Sequence, residues 1–335
     1  MILITGVGLP FELPRAYPGL IASRVNHEQA KLAAIASRIG TCERRWIAVV
    51  TGANKGIGLE ICRQLLEKGI MVVLTARDEA RGKAAVSKLQ DGGAKDVVFH
   101  QLDVADPVSI ASLKTFIHCQ FQKLDILVNN AGVSGIELDV EALSGFNNNK
   151  ETHLESFVPV MIQQYEKAKE CININFYGTK RMCKAFIPLL RLSQSPRIVN
   201  LTSIYGKLQV IPSETIKTEL RDADNLTEGR LDNIISSFLN DFRTNNVLKD
   251  TWPTDLSAYK VSKVAVAAYT RILARKHEEM CINCVHPGYV ITDITWNTGK
   301  LTVEEGAKGP VMLALLPDGG PSGQFYFQTT LSSFE

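Results

Sequence analysis

The sequence has no long apolar run. None of its 335 residues lies in a stretch that approaches the ~18 consecutive apolar residues of a membrane-spanning helix. It also has no marked excess of charge, because 37 Lys and Arg stand against 35 Asp and Glu, a formal net charge of +2. We therefore predict no membrane and no nucleic acid as a partner, since either would favour a basic surface.

The sequence is also poor in cysteine, with seven residues scattered between Cys42 and Cys284. An odd number argues against a disulfide framework and favours a reducing compartment, so we predict a cytoplasmic protein. Cys281 and Cys284 form a single C-x-x-C without a second pair. Because their surroundings are strand-like, we interpret them as buried strand residues and predict no metal site.

Residues 1–44 differ from the rest of the chain. They contain several prolines and have no sustained periodicity outside residues 26–40, where one helix is predicted. No basic region precedes an apolar core, which disfavours a secretory signal, and Glu12, Glu28 and the scarcity of serine disfavour a transit peptide. We predict an N-terminal extension that is poorly ordered or a lone helix, followed by one domain over residues 45–335.

From residue 46 onward, short apolar runs alternate with amphipathic helical patterns. Asp106 and Pro107 mark the start of one such helix, as a cap followed by a first-turn proline. Nearly continuous apolar strands separated by helices indicate a parallel sheet that is covered on both faces. The predicted fold is a doubly wound, Rossmann-type α/β domain with the strands WIAVV, MVVLTA, VVFHQLDV, LDILVNNAG, RIVNLTS, INCVHPG and GQFYF.

A glycine-rich loop follows the first predicted strand. In TGANKGIG, the glycines Gly52, Gly56 and Gly58 lie between that strand and a helix. Glycines let a backbone turn tightly and approach a pyrophosphate at a helix N-terminus. A plain strand-to-helix turn is the alternative, but the place of the loop after the first strand of an alternating pattern favours dinucleotide binding.

The end of the second strand suggests which dinucleotide is bound. LTARD offers Arg77 where enzymes that use NAD offer a carboxylate, and an arginine suits the 2′-phosphate of NADP. We predict Arg77 and Lys55 as phosphate ligands and Asp78 as a helix cap, with two solvated surface charges as the alternative. Asp103, after the third strand, is predicted to accept a hydrogen bond from the adenine amino group, unless it serves only the turn.

Two tyrosines each precede a lysine by four residues, a spacing that places both side chains on one helical face. Tyr165 and Lys169 lie in the charged stretch YEKAKE and predict a solvated helix face. Tyr259 and Lys263 begin the apolar helix AYKVSKVAVAAYTRIL, and Ser203 ends the fifth strand, at the sheet edge where such folds bind ligands.

The second pair suits the reduction of a ketone, which needs a hydride from a cofactor and a proton for the new alkoxide. A phenol has a reference pKa of about 10, and a neighbouring ammonium is expected to move that pKa toward neutrality. Ser203 can donate a hydrogen bond to the carbonyl oxygen. Tyr259 is thus the predicted proton donor, with Lys263 as its partner.

With these motifs together, the chain from about residue 46 resembles the short-chain dehydrogenase/reductase family. The glycine loop, NNAG, the serine, Y-x-x-x-K and a PG after the sixth strand occur in the family's order. The resemblance implies that Asn175, in INFYG, holds a water in a proton relay to the lysine. The implied catalytic residues are Asn175, Ser203, Tyr259 and Lys263. The implied NADP(H) ligands are Thr51, Gly52, Asn54, Lys55, Gly56, Ile57, Gly58, Arg77, Asp103, Val104, Asn130, Ala131, Gly132, Tyr259, Lys263, Pro287, Gly288, Val290 and Thr292.

Finer features are similar to the carbonyl-reductase branch and to its plant members of the menthone and salutaridine reductase type. These include GANKGIGLEI, VVLTARD, TWP before the tyrosine, and the C-terminal GPSGQF. The resemblance implies reduction of a ketone on a bulky, mostly apolar terpenoid-like or alkaloid-like molecule, with NADPH. Alternatives are alcohol oxidation with NADP and a catalytically silent nucleotide-binding protein. A methyltransferase is disfavoured because Arg77 and Lys55 suit an extra phosphate.

Fifty-five residues separate Ser203 from Tyr259, and they contain an apolar stripe at helical spacing. We predict a helix that covers the surface through which simpler relatives pair and that forms one wall of the substrate pocket. A packed helix without a role in binding is the alternative. The resemblance implies a monomer. The stripe consists of Leu231, Ile234, Ile235, Phe238, Leu239 and Phe242.

Overall fold

The computed structural model of the protein describes residues 45–138, 161–244 and 250–335. The predicted N-terminal extension, residues 1–44, lies outside the described residues, as do residues 139–160 and 245–249. The remainder, Trp46–Glu335, forms one compact unit.

Short strands form the centre of this unit. Seven strands run parallel in the order β3-β2-β1-β4-β7-β8-β9, and β10 pairs antiparallel with β9 at the edge. The predicted doubly wound parallel sheet is confirmed. The strands in chain order are β1 Ile47–Val50, β2 Met71–Ala76, β3 Val97–Gln101, β4 Ile126–Asn129, β5 Glu137–Leu138, β6 Met161–Ile162, β7 Arg197–Leu201, β8 Cys281–His286, β9 Phe325–Phe327 and β10 Thr330–Ser332; β5 and β6 pair separately.

The sequence prediction missed β10. Gln328 takes φ of 54° in the tight turn between β9 and β10, a conformation usually signalled by glycine or asparagine. Leu331 is 59% exposed, so the strand also lacks the buried apolar pattern from which strands are read.

Helices cover both faces of the sheet. The predicted caps are confirmed: the Asp78 side chain accepts from the Arg81 N–H at 2.8 Å, and Asp106 accepts from the Val108 N–H at 2.9 Å. None of the helices in the described ranges is long and apolar enough to cross a membrane. The helices are α1 Gly56–Glu67, α2 Glu79–Asp91, α3 Pro107–Phe121, α4 Tyr165–Ile172, α5 Thr179–Leu190, α6 Glu214–Arg221, α7 Glu228–Arg243, α8 Ser257–Lys276 and α9 Val303–Ala314.

The alternation of side chains along each strand divides the core into two apolar clusters. In β1, Ile47 and Val49 join the cluster formed with α3, α5 and α8, whereas Ala48 and Val50 join the cluster formed with α1 and α9. Burying both faces of the strands leaves the carboxyl edge of the sheet as the place where loops meet. Open α/β sheets bind their ligands at this edge.

The insertion before Tyr259 contains the predicted helix, α7. Leu231, Ile235 and Phe238 are at most 1% exposed, so the apolar stripe is buried against the cluster that includes α8. Buried Lys180 of α5 holds the other side of α7, with its ammonium 2.7 Å from Asp232. The helix is thereby fixed over α5 and α8.

Candidate active site

One cavity of about 1040 Å³ opens at the carboxyl edge of the sheet. The loops after β1, β2, β3, β4, β7 and β8 all contribute to it. Its lining includes every predicted cofactor residue except Thr51: Gly52, Asn54, Lys55, Gly56, Ile57, Gly58, Arg77, Asp103, Val104, Asn130, Ala131, Gly132, Tyr259, Lys263, Pro287, Gly288, Val290 and Thr292. Chain segments far apart in sequence thus meet around one space.

The glycine loop is shaped to let a ligand approach the backbone. Gly52 has φ of 62°, and a Cβ there would lie 2.9 Å from Ala131 Cα. A Cβ on Gly58 would lie 2.4 Å from Asn130 Nδ2 and 2.8 Å from the Gly52 carbonyl oxygen. The loop is therefore held against the end of β4, and only glycine fits at these two positions.

Thr51, a predicted cofactor ligand, does not line the cavity. Its side chain is buried, and its hydroxyl accepts hydrogen bonds from the N–H groups of Asn130 and Ala131, both at 3.0 Å. Asn130 completes the link by donating to the carbonyls of Thr51 at 2.8 Å and Gly52 at 3.0 Å. Thr51 thus supports the glycine loop from behind.

Cationic side chains gather at one end of the cavity. Arg77, just before the cap of α2, and, unpredicted, Arg81, in the first turn of α2, both line it. Lys55 forms an ion pair with Asp293, from the segment after β8, so its ammonium already has an anionic partner. A phosphate at this end would meet Arg77 and Arg81 without displacing that pair. Arginines recognise phosphate by bidentate hydrogen bonds.

Tyr259, Lys263 and Ser203 meet at the other end. Lys263 and Ser203 are 5% and 7% exposed, and Tyr259 is partly open to the cavity. The Lys263 ammonium lies 5.6 Å from the centre of the Tyr259 ring and donates to the Leu201 carbonyl at 3.0 Å. The first turn of α8 and the end of β7 therefore bring together a phenol, an ammonium and a hydroxyl.

Burial shifts both titrating groups away from their charged forms. It lowers the pKa of the Lys263 ammonium to about 8. It raises the pKa of the Tyr259 hydroxyl above its ordinary value of 10.0, although a hydrogen bond with Ser203 acts in the opposite direction. The shift for Tyr259 is opposite to the one expected from a neighbouring ammonium alone, because desolvation is the larger effect. A neutral phenol is the form that can donate a proton.

Asn175 does not line the cavity either. It is 1% exposed and lies in a π-helical turn, Asn173–Gly178, between α4 and α5. Its Oδ1 accepts from the Val133 N–H at 2.9 Å, and its Nδ2 donates to the Val133 carbonyl at 3.0 Å and to Ser262 Oγ at 3.0 Å. Both hydrogens of the amide are therefore engaged within the protein. The side chain therefore has no hydrogen left to donate to a water.

Aromatic and aliphatic side chains line the space beside Tyr259. Tyr205, two residues after Ser203, places its ring centre 6.5 Å from that of Tyr259. The Lys260 ammonium lies 5.0 Å from the Tyr205 ring centre and 2.7 Å from Asp255. The sequence analysis did not predict this wall. The available signal was the position of Tyr205, an aromatic residue two positions after the predicted catalytic serine. Further lining residues are Val133, Ile204, Leu256, Tyr289, Ile294 and Trp296.

His286, the last residue of β8, is another lining residue that the sequence did not single out. It is 7% exposed, and its ring lies edge-on to Phe327 with centres 4.9 Å apart. Burial and then the nearby Lys263 charge lower the pKa of His286 to about 4. The imidazole is therefore neutral at physiological pH.

Two sequence predictions concern groups outside the cavity. No residue of α7 lines it, so the idea that this helix forms a wall of the pocket is wrong; α7 packs one layer behind, on α8. Tyr165 and Lys169 do not line it either, and Lys169 is exposed, as predicted for a solvated face. Within the described residues, no three His, Cys, Asp or Glu side chains are arranged to hold a metal ion.

The groups that line the cavity suit a bound dinucleotide. The close approach at Gly52 and Gly58 leaves backbone exposed at the N-terminus of α1, as a pyrophosphate requires. Arg77 and Arg81 provide positive charge at one end, and the Tyr259 group lies at the other.

Comparisons with known proteins agree with this arrangement. The sequence pattern described as short chain dehydrogenase matches residues 46–214. The (+)-neomenthol dehydrogenase of Arabidopsis thaliana is 52% identical over 291 residues, which cover 86% of this chain and 97% of that protein. The Rattus norvegicus protein named carbonyl reductase (NADPH) 3 is 38% identical over 296 residues, with coverages of 85% and 96%. The structure of salutaridine reductase from Papaver somniferum superposes with a TM-score of 0.80 at 45% identity and covers 84% of this chain and 99% of that one.

Sequence, sheet order and site thus lead to the same family, and the resemblance inferred from the motifs is confirmed. The chain belongs to the short-chain dehydrogenase/reductase family of oxidoreductases.

Proposed function

We propose that this protein reduces a ketone on a bulky, mostly apolar small molecule to the secondary alcohol, with NADPH as the cofactor. The observation that carries the proposal is the single cavity that has Arg77 and Arg81 at one end and Tyr259, Lys263 and Ser203 at the other. The relatives named above, a neomenthol dehydrogenase, a salutaridine reductase and a carbonyl reductase, support the substrate class.

When bound, NADPH supplies the hydride that reduces the carbonyl carbon. The protein provides the proton and the orientation. Tyr259, kept neutral by burial, donates its hydroxyl proton to the carbonyl oxygen as charge develops there. Ser203, at the end of β7, donates a hydrogen bond to the same oxygen and stabilises it.

Lys263 assists the proton transfer from Tyr259 without contacting the ketone. Its ammonium, held to the Leu201 carbonyl, lies over the Tyr259 ring and stabilises negative charge on the phenol oxygen once the proton has left. With a pKa of about 8, it can also pass on a proton near neutral pH. The side-chain amide of Asn175 is fixed by its hydrogen bonds with Val133 and Ser262. These catalytic roles are part of the proposal.

The lining beside Tyr259 supports an apolar substrate. Tyr205, Leu256 and Trp296 contribute rings and aliphatic surface to this end of the cavity. Trp296 lies in a left-handed turn with φ of 48°, which turns the segment after β8 back over the site. Apolar walls with a few convergent polar groups are typical of small-molecule pockets. A monomeric state and a cytoplasmic location stay predictions.

The direct test is the consumption of NADPH by the full chain with a panel of cyclic terpenoid, alkaloid-like and simple aromatic ketones, with NADH in parallel. We expect turnover with at least one bulky ketone and a clear preference for NADPH. In Arg77→Ala, the KM for NADPH should rise about tenfold, because a phosphate loses a charged partner, while the KM for NADH stays unchanged. Tight binding of NADPH without turnover on any ketone would contradict the proposed function.

A further inference from the structure

We propose that Ser262 is a positioning residue that holds the first turn of α8, with Tyr259 and Lys263, against Asn175. The inference rests on the function proposed above. It concerns a residue that neither lines the cavity nor takes part in the steps described so far.

The Ser262 hydroxyl connects two elements of the site. The side chain is fully buried, at 0% exposure. Its Oγ donates to the backbone carbonyl of Tyr259 at 2.7 Å and accepts from Asn175 Nδ2 at 3.0 Å. A hydroxyl has one hydrogen to donate, so the direction of both bonds is determined. Ser262 therefore joins the backbone of the tyrosine turn to the asparagine amide.

Asn175 is in turn fixed to the loop that follows β4. Its amide accepts from the backbone N–H of Val133 at 2.9 Å and donates to the backbone carbonyl of Val133 at 3.0 Å. The neighbouring Gly132 lies so close that a Cβ there would be 3.2 Å from Asn175 Oδ1 and 3.6 Å from Lys263 Nζ. Three chain segments thus meet within hydrogen-bond distance, with Ser262 as the link from α8.

Loss of that link should lower the reaction rate. Without the hydroxyl, one Asn175 hydrogen loses an acceptor and the Tyr259 carbonyl loses a donor. The first turn of α8 then has one constraint fewer at the place where the phenol must meet the carbonyl oxygen. A misplacement of about 1 Å in a catalytic group can lower a rate by ~10²-fold.

The same helix provides a matched control. Thr270, two turns further along α8, is also at 0% exposure. Its hydroxyl donates to the Val266 carbonyl at 2.8 Å and accepts from Asn200 Nδ2 at 2.9 Å. The hydroxyls of Ser262 and Thr270 therefore make the same pair of bonds, but neither Thr270 nor Asn200 lines the cavity. Removing either hydroxyl should lower stability to a similar extent.

The experiment compares Ser262→Ala with Thr270→Val in the full chain. We measure the single-turnover rate of NADPH oxidation with a ketone that the wild type reduces, together with the Kd of NADPH and the Tm. For Ser262→Ala we expect the rate to fall at least about tenfold, with the Kd of NADPH within twofold of the wild type. For Thr270→Val we expect a similar loss of Tm and a rate within twofold of the wild type.

Ser262→Cys keeps a weak acceptor at this position and serves as the second variant if Ser262→Ala does not fold. Asn175 Nδ2 already donates to the Cys171 sulfur at 3.2 Å, so a thiol acceptor suits this amide. The single-turnover rate of Ser262→Cys should lie between those of the wild type and Ser262→Ala. If Ser262→Ala is insoluble, the rate of Ser262→Cys should still be lower than that of the wild type. Equal rates for the Ser262 and Thr270 variants would overturn the inference about Ser262 and leave the proposed function standing. A wild type that reduces no ketone would overturn the proposed function and this inference with it.

Discussion

Two tyrosine–lysine pairs with the same spacing occupy different surroundings in this protein. Tyr165 begins α4 and Lys169 is exposed on its surface. Tyr259 and Lys263 lie in the first turns of α8, where Lys263 is 5% exposed and the tyrosine faces the cavity. The helical geometry within each pair is equivalent, so the spacing alone does not explain what the second pair can do.

The difference lies in what surrounds each pair. Lys263 donates to a carbonyl at the end of β7, and burial lowers its pKa to about 8. Ser203 lies beside Tyr259, and Ser262 ties the backbone of that turn to Asn175. Tyr259 is therefore a candidate proton donor because its pair lies at the sheet edge, is desolvated and has a fixed backbone. The first pair has a helix surface and solvent instead.

The largest effect that separates the two pairs should come from removing the phenolic hydroxyls. We expect Tyr259→Phe to lower kcat for ketone reduction about 10³-fold, since general acids contribute roughly 10²–10⁴-fold. The Kd of NADPH should change little, because the ring remains. Tyr165→Phe should keep the wild-type kcat. Steady-state kinetics with a reducible ketone and fluorescence titration with NADPH provide the two measurements.

A Tyr259→Phe enzyme with wild-type kcat would break the comparison, because the two pairs would then be functionally alike. A loss in both phenylalanine variants would point to a general effect on folding, which circular dichroism of each variant would reveal.

The next effect concerns pH. The Lys263 ammonium loses its proton as the pH rises through about 8. If reduction depends on that proton, kcat/KM for the ketone should fall by up to about tenfold per pH unit above 8, and alcohol oxidation should rise over the same range. Lys169→Met should keep this profile, because Lys169 lies outside the cavity. A flat profile from pH 7 to 9.5 in both directions would contradict a role for the Lys263 proton.

The smallest effect is that of pH on stability. As the pH rises above about 8, stability should increase, whereas the rate of ketone reduction should decrease. The pKa of Lys263 is about 8 in the folded protein and 10.5 ordinarily, so between these values the unfolded chain binds a proton that the folded chain has released. Stability of the wild type should therefore rise with pH across this window, and below about pH 8 the folded protein bears the full cost of a buried ammonium.

Lys263→Met removes that cost. At pH 7 we expect the free energy of unfolding to increase by about 1–2 kcal/mol, after the lost bond to Leu201 is counted, as replacing buried charges by apolar groups often stabilises. The gain should shrink as the pH approaches 10.5, and Lys169→Met should show none of this dependence. Urea unfolding of the cofactor-free wild type and both variants at pH 7 and 9.5 measures the gain in stability and its dependence on pH. A less stable Lys263→Met at pH 7 would show that the ammonium is satisfied where it lies.

Much of the fold followed from local patterns. The apolar runs predicted the central strands, and Asp78 and Asp106 predicted the helix caps that the structure contains. The glycine loop was predicted as a point of close approach, and Gly52 and Gly58 indeed leave no room for a Cβ. These features depend on neighbouring residues only, so a sequence can reveal them.

The contacts that the sequence did not predict join distant segments. Thr51 supports the glycine loop through Asn130 and Ala131, more than 75 positions away. Lys55 pairs with Asp293 across the cavity. The α7 stripe was correctly identified as buried, but its partner is α8 rather than a ligand. A pattern shows that a side chain needs a partner without showing which partner it finds.

The sequence by itself determined the alternation of the central parallel strands with helices, the glycine loop and the candidate residues Ser203, Tyr259 and Lys263, because local spacing and composition carry that information. Only the tertiary structure decided that burial raises the pKa of Tyr259 and lowers that of Lys263. It likewise decided that Ser262 bonds Asn175, 87 positions away. Desolvation and hydrogen bonding depend on which groups meet in space, and in this protein those groups come from segments that are far apart in the sequence.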